Sequence, residues 1–225
     1  MVRSLLRQVP NLLGVIDAPA SPAELSQATV VRKRFELDQR SDPYMVDIIR
    51  AFRLLDGGSA YVEFGTRDKG NLAWAATKLL PEATVVDVDI DLCADAERRL
   101  RHELRGIDYH RITGDSIAAD TLAQVRAALG ARQADMIFCD SSDIYTHALS
   151  EFELYFPLLR SGGVLMYHDC FWEGNATHRG KMQAMQAIDQ VVPVYCIYMD
   201  EPVHRYRPRP EKTDIWGGVS IIIKP

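Results

Sequence analysis

The sequence predicts an α/β fold: a doubly wound sheet of seven strands, mostly parallel, with an antiparallel hairpin at its C-terminal edge. Two observations lead to this prediction. Short apolar runs alternate with longer amphipathic runs, which is typical of a parallel sheet covered by helices. The last two apolar runs have no helical pattern between them, so we expect them to pair antiparallel. A chain of 225 residues with 47% hydrophobic residues can bury the core that this fold needs.

Each predicted strand is a short apolar run bounded by turn-forming residues. The seven strands are expected at residues 60–64, 83–89, 108–112, 135–139, 162–168, 192–199 and 218–224. The runs between most of them repeat apolar residues at helical spacing. They predict helices at residues 70–80, 92–105, 118–129, 148–159 and 180–190.

The chain divides into two segments of different character. Residues 1–40 have a weak pattern that prolines interrupt, and we expect a lead-in segment that caps the rest of the chain or a second subunit. This expectation leaves a homo-oligomer open. Residues 41–225 form one predicted domain, which opens at Ser41, where a capping side chain precedes a proline in the first turn of a helix.

Charge and composition disfavour several classes of partner. The net charge is −5, so the chain lacks the broad basic field that nucleic-acid binding requires. No apolar run approaches the roughly 20 residues that span a bilayer, and the N-terminus lacks the pattern of a secretory signal. The four cysteines are widely spaced without a CxxC pair, which favours reduced thiols over a zinc cluster. We therefore expect a cytoplasmic protein that binds a small molecule, and neither nucleic acid nor a membrane.

The most informative motif is the turn after the first strand, in which Glu63 precedes Gly65 and Thr66. A dinucleotide-binding turn reads GxGxxG, and its middle glycine is missing here, so NAD and FAD are disfavoured. Gly65 and Gly70 have the spacing of a Walker A loop, but the lysine and hydroxyl residue of that loop are missing too. An acid before the glycine would repel a pyrophosphate and suits a cationic ligand.

Further acids follow the later strands. Asp89 stands where an acid can accept hydrogen bonds from both hydroxyls of a ribose. Asp115 and Ser116 follow the third strand, and a PLLRSGG turn at 157–163 leads into the fifth. In this order, the motifs of residues 58–225 resemble those of class I S-adenosylmethionine-dependent methyltransferases, although Gly70 lies one place later than usual. The resemblance implies a Rossmann-like fold and S-adenosylmethionine contacts at Glu63, Gly65, Thr66, Asp89, Asp115, Ser116 and Asp140.

Polar residues also close two neighbouring strands of the predicted sheet. Asp140 closes the fourth strand, and His168 and Asp169 close the fifth, so all three should meet at the ligand-binding edge. A divalent cation there would lower the pKa of an acceptor hydroxyl and fix its direction. The two carboxylates suit magnesium, whereas His168 suits the role of general base or substrate contact. The alternative is that no metal binds and His168 is a structural histidine.

The same segment resembles a subgroup, the metal-dependent O-methyltransferases of sugars and antibiotic scaffolds. Their D-G-D-H-x-Y motif reads D-S-S-D-I-Y here, with Ser142 and Asp143 in place of the second acid and the histidine. The resemblance implies that the metal ligands, and the residues nearest the chemistry, are Asp140, His168 and Asp169. His147 follows this motif and has two interpretations, a residue that faces the substrate or an exposed loop histidine, of which we favour the second.

The sequence therefore predicts an S-adenosylmethionine-dependent O-methyltransferase, with or without a divalent cation such as magnesium. Its acceptor would be a hydroxyl of a sugar or a natural-product scaffold. Two alternatives remain open. One is a non-catalytic S-adenosylmethionine-binding protein, which the altered residues in the motif keep open. The other is an NAD-dependent oxidoreductase, which the missing GxGxxG disfavours.

Overall fold

The computed structural model of the chain describes residues 60–66, 83–91, 98, 106–170, 179–197, 204–205 and 218–225. The predicted lead-in at 1–40, the helix that opens at Ser41 and the helix at 70–80 lie outside these residues. So does the helix predicted at 92–105, except for Arg98, which is helical. No helix in the described part of the chain is long and apolar enough to cross a membrane.

All seven predicted strands are present, and one short strand, β7, is added to them. The strands are β1 (Ala60–Phe64), β2 (Thr84–Asp89), β3 (Tyr109–Thr113), β4 (Ala134–Cys139), β5 (Leu159–His168), β6 (Val194–Ile197), β7 (His204–Arg205) and β8 (Val219–Ile223). The described helices are α1 (Ala119–Leu129), α2 (Tyr145–Tyr155) and α3 (Arg179–Ile188), and a 3₁₀ turn, Phe156–Leu158, follows α2.

The strands form one sheet in the order β3-β2-β1-β4-β5-β8-β6-β7. Strands β1 to β5 pair in parallel, and β8 pairs antiparallel with both β5 and β6. The order runs outward in both directions from β1 and β4, which is the doubly wound arrangement that the sequence predicts. The ends of β1 and β4 therefore form the topological switch point, where ligands bind in sheets of this kind.

The antiparallel C-terminal pair is confirmed, but only one of its strands lies near the edge of the sheet. Every residue of β8 is buried, as expected for a continuous apolar run covered on both faces. It lies between β5 and β6, and the two-residue strand β7 pairs with β6 at the edge.

One face of the sheet packs against the three described helices. Phe64, Val88 and Ile112 lie in register on β1, β2 and β3 and belong to this core. Val125 of α1 and Tyr155 of α2 belong to this core as well, and the ring centroids of Phe64 and Tyr155 are 4.4 Å apart. Each fully buried apolar side chain contributes about 1.5–3 kcal/mol, so this packing fixes the strand ends that carry the polar residues described next.

Candidate functional site

Gly65 brings the ends of β1 and β4 together. Its φ is +85°, and a Cβ at this position would lie 2.2 Å from the carbonyl oxygen of Asp140. The Gly65 N–H donates to the Val88 carbonyl at 2.9 Å, and the Asp140 N–H donates to the Phe64 carbonyl at 2.8 Å. Only glycine combines this φ with so close an approach. Gly65 therefore allows the ends of β1 and β4 to come into contact at the switch point.

A cavity of about 270 Å³ opens beside this contact. The turns after β1, β2, β3 and β4 and the start of α2 form its walls. Four of the seven predicted cofactor residues line it, and three residues without a predicted cofactor role contribute polar groups. The predicted ones are Gly65, Asp89, Asp115 and Ser116, and the others are Ser141, Ser142 and His147.

Backbone hydrogen bonds fix the two acidic turns of this cavity. The Asp89 carboxylate accepts from the Asp91 N–H at 3.0 Å, and the Asp89 carbonyl accepts from the Gly114 N–H at 2.9 Å. The Asp115 carboxylate accepts from the Ile117 N–H at 3.1 Å. Asp89 is 8% exposed and Asp115 is exposed, so the first offers a shielded carboxylate and the second an open one.

Glu63 and Thr66 do not line this cavity. Glu63 is 4% exposed, and its Oε2 accepts a hydrogen bond from the Tyr61 hydroxyl at 2.9 Å. The Thr66 hydroxyl donates to the carboxylate of Asp87 on β2. These bonds give both side chains structural partners behind the turn, and their contact with the cofactor stays a prediction.

Asp87 is at the centre of a buried polar row. Glu63, Asp87 and Arg111 lie in register on β1, β2 and β3. Burial raises the pKa of Asp87 to about 6, although the Tyr109 hydroxyl, 2.7 Å from Oδ2, and the Arg111 guanidinium, 3.7 Å from it, act in the opposite direction. A carboxyl group behind the glycine turn is therefore partly protonated near neutral pH.

The interpretation of His147 as an exposed loop residue is wrong. His147 lies in the first turn of α2, and its side chain is 16% exposed and lines the cavity. Its Nε2 is 2.8 Å from the Ser116 hydroxyl and 3.4 Å from the carboxylate of Glu151. The helix starts three residues earlier than predicted and includes His147. The i,i+4 spacing of His147 and Glu151 was the signal that could have revealed this contact.

Asp140, His168 and Asp169 come together as the sequence predicts. The Nδ1 of His168 lies 3.3 Å from Asp140 Oδ1 and 3.4 Å from Asp169 Oδ2. Asp169 has a φ of +53°, the only positive φ of a non-glycine residue in the described part of the chain. Asparagine and aspartate tolerate this left-handed conformation best, and such residues cluster at functional sites.

The donor set of this cluster fits a divalent cation. One nitrogen and two carboxylate oxygens, one from each residue, lie within 4.8 Å of one another. All three residues are partly exposed, so an ion and a further ligand can reach them. Oxygen donors suit magnesium, and the imidazole extends the range to manganese or iron.

A buried lysine that no sequence pattern indicated lies beside this cluster. Lys181, on the first turn of α3, is 2% exposed, and its Nζ lies 2.9 Å from Asp143 Oδ1. Burial disfavours its charge, but Asp140 and Asp143 outweigh burial and raise the pKa of Lys181 above its usual value. Gly180 makes the contact possible, since a Cβ there would lie 2.5 Å from the Asp143 carbonyl. The amphipathic pattern of 180–190 gave no sign that Lys181 points inward.

Comparison with known proteins identifies a family for this arrangement. The model of the family described as rhamnosyl O-methyltransferase/CmcI matches residues 57–192. No protein of curated function matches the chain in sequence. The matched region contains every predicted site residue from Glu63 to Asp169.

Three solved structures share the fold. A Staphylococcus aureus protein described as a caffeoyl-CoA O-methyltransferase is 16% identical with a TM-score of 0.65, over 88% of this chain and 92% of that one. MycE of the mycinamycin pathway, solved with Mg and S-adenosylhomocysteine, is 16% identical with a TM-score of 0.58, over 91% of this chain and 55% of its own. CalS11, a TDP-rhamnose 3'-O-methyltransferase of calicheamicin biosynthesis, is 15% identical with a TM-score of 0.52, over 89% and 95%. At these identities the likeness establishes the Rossmann-like methyltransferase fold.

Proposed function

We propose a specific reaction for this chain, which belongs to the rhamnosyl O-methyltransferase/CmcI family because the family model matches more than half of its length. It is an S-adenosylmethionine-dependent O-methyltransferase. The acceptor we propose is a hydroxyl of a sugar or of a sugar-bearing natural product, in keeping with what MycE and CalS11 are named for.

One observation carries this proposal. The cavity and the acidic cluster share a single turn, in which Ser141 lines the cavity and the neighbouring Asp140 belongs to the cluster. A methyl donor in the cavity and an acceptor hydroxyl at the cluster would then be neighbours, and methyl transfer needs an acceptor oxygen in line with the departing sulfur. Among the described residues, Asp140, His168 and Asp169 are the one group of histidine and acidic side chains close enough together to hold a metal ion.

We assign the cofactor to the cavity. The shielded carboxylate of Asp89 would accept hydrogen bonds from the ribose hydroxyls. The exposed carboxylate of Asp115, which also lines the cavity, would accept a hydrogen bond from a donor on the base. Gly65 lets the turns after β1 and β4 meet beside the cavity, because any larger residue would push the two turns apart.

We assign the acceptor to the cluster. Asp140 and Asp169 would hold a divalent cation through oxygen, with His168 as the nitrogen donor. When bound, such a cation lowers the pKa of an acceptor hydroxyl and fixes its direction. The Lys181–Asp143 ion pair holds the turn that carries Asp140, so the acceptor side is built before any ligand arrives.

We also propose that the methyltransferase domain begins at residue 41 and that the chain forms a homo-oligomer.

Ligand-induced stabilisation tests the assignment of the cofactor. We expect S-adenosylhomocysteine at a hundred times its dissociation constant to stabilise the fold by about 2.7 kcal/mol, and NAD at the same concentration to leave the melting temperature unchanged. A melting temperature that neither S-adenosylmethionine nor its demethylated product raises would contradict the proposal. The acceptor class would then be identified by measuring methyl transfer from labelled cofactor to a panel of deoxysugar nucleotides. A panel of phenols serves as the control set of acceptors.

A further inference from the structure

The wall of the cofactor cavity contains an arrangement that the proposed reaction does not use. Glu151 on α2 is 1% exposed, and a single oxygen, Oε1, accepts hydrogen bonds from the Ser116 and Ser141 hydroxyls, each at 2.5 Å. These serines belong to the turns after β3 and β4. A buried carboxylate thus joins two turns of the cavity through neutral donors, which satisfies its charge without exposing it.

His147 stands in front of this carboxylate. It lies one helical turn before Glu151, its Nε2 is 2.8 Å from the Ser116 hydroxyl and 3.4 Å from Glu151 Oε1, and it lines the cavity. Since the Ser116 hydroxyl donates to Glu151, it accepts from His147, so Nε2 carries a hydrogen in both charge states. The nitrogen that gains and loses a proton is therefore Nδ1.

Charged groups from three elements face His147. Asp115, after β3, is 3.9 Å from its Nε2, and Glu151 is on its own helix. Lys181 of α3 acts in the opposite direction to these two acids. The hydrogen bond to Glu151, only partly opposed by burial, raises the pKa of His147 above its ordinary value.

We propose that His147 is a cofactor-binding residue: its flat imidazole forms the wall against which the nucleoside of S-adenosylmethionine rests, and Glu151 is its positioning residue. This proposal rests on the proposed function. The ring and Asp89 line the same cavity, so a nucleoside bound there through its ribose would cover the ring. Covering the ring removes water from it, which disfavours the imidazolium. Binding should therefore lower the pKa of His147, and the affinity should rise as the pH increases through its titration.

The test is an NMR titration of the six histidines of the full chain, with and without saturating S-adenosylhomocysteine. The His147 signal is assigned by its loss in His147→Gln. We expect binding to lower the His147 pKa by about half a pH unit or more. His110 is the matched control, because it is on β3 outside the cavity and hydrogen-bonded to Asp108 at 2.9 Å, and its NMR signal should be the same with and without ligand. In Glu151→Gln the His147 pKa should fall even without ligand, a change that a merely structural glutamate would not cause.

Variants supply the second measurement. His147→Ala should weaken S-adenosylhomocysteine binding about tenfold, whereas His147→Gln, whose amide nitrogen can replace Nε2, should stay within about threefold. A His147 signal that saturating ligand leaves unchanged, a raised pKa, or an unaltered affinity of His147→Ala would overturn the proposal. These outcomes all presuppose binding to the unmodified chain. If no sulfur nucleoside binds that chain at all, the proposed function fails, and this inference fails with it.

Discussion

The two sides of the shared turn at 140–141 are held by different forces. On the cavity side, neutral serine hydroxyls converge on the buried carboxylate of Glu151. On the cluster side, ionisable groups face one another: Asp140 and Asp169 lie against the imidazole of His168, and Asp143 lies against the ammonium group of Lys181. Hydrogen bonds to a buried acceptor fix shape without adding charge, whereas opposed charges depend on every partner. Changes of charge should therefore affect the cluster more strongly than the cavity.

The largest effect is expected at Asp140, the residue at the boundary. Asp140→Ala removes one of the three ligand-type side chains, so we expect kcat/KM for methyl transfer to fall about a thousandfold, or about 4 kcal/mol in the barrier. Because its carboxylate lies in the cluster and not in the cavity lining, the dissociation constant of S-adenosylhomocysteine should change less than about threefold. Steady-state kinetics and calorimetry measure the two quantities.

Measuring kcat/KM and the dissociation constant of S-adenosylhomocysteine together separates the cluster from the cavity. A chelator tests the metal: the activity of the unmodified enzyme should fall on treatment and return with added manganese or magnesium. Asp120→Asn, an exposed residue at the start of α1, is the matched control and should change neither quantity. Loss of cofactor binding in Asp140→Ala would mean that the two regions are one site. Activity that survives the chelator would remove the metal from the proposal.

The next effect concerns the buried ion pair of Lys181 and Asp143, which lies beside the cluster. Lys181→Met removes the buried ammonium group that faces Asp143, and we expect the free energy of unfolding to fall by about 3 kcal/mol. The double variant Lys181→Met/Asp143→Asn removes the stranded charge, so it should recover at least half of that loss. Urea denaturation of both variants and of Asp143→Asn completes the cycle. A double variant as unstable as the sum of the single variants would show that the two charges are not coupled.

An effect of similar size is expected behind the glycine turn, where Asp87 is buried. Its pKa is about 6 in the folded chain and ordinarily 3.8, so the folded chain holds this proton more tightly. The stability that the proton contributes is complete below about pH 4 and is lost as the pH rises through about 6, a change of about 3 kcal/mol. Asp87→Asn should abolish that part of the pH dependence of unfolding between pH 4 and 7. An unchanged pH dependence of unfolding in this variant would contradict the assignment of that titration to Asp87.

Several parts of the fold and site were predictable because their signals are local. The strands follow from apolar runs, and acids at strand ends such as Asp89, Asp140 and Asp169 stand at one edge once the sheet is parallel. The position of β8 could have been predicted as well, because a run of five buried apolar or small residues needs cover on both faces. Connectivity alone predicts an antiparallel hairpin, but it does not fix the place of that hairpin in the sheet.

Other parts depend on contacts that periodicity does not carry. Lys181 is buried because Asp143, on a turn 38 residues earlier, reaches it through space. Thr66 bonds to Asp87 and not to the cavity because two neighbouring strands pair in one particular register. Neither partner could be chosen from a pattern within one element, since each contact requires the sheet order first.

The smallest effect is expected on the cavity side, at Asp89. Asp89→Asn keeps an oxygen that can accept from Asp91 and from one ribose hydroxyl, but it loses the charge and the second acceptor. We expect S-adenosylhomocysteine to bind about tenfold more weakly, or about 1.4 kcal/mol, with kcat little changed at saturating cofactor. Asp91→Asn, whose carboxylate does not line the cavity, is the matched control. If Asp89→Asn instead lowers kcat as Asp140→Ala does, charge matters equally on both sides, and the division between a hydrogen-bonded cavity and a charged cluster is wrong.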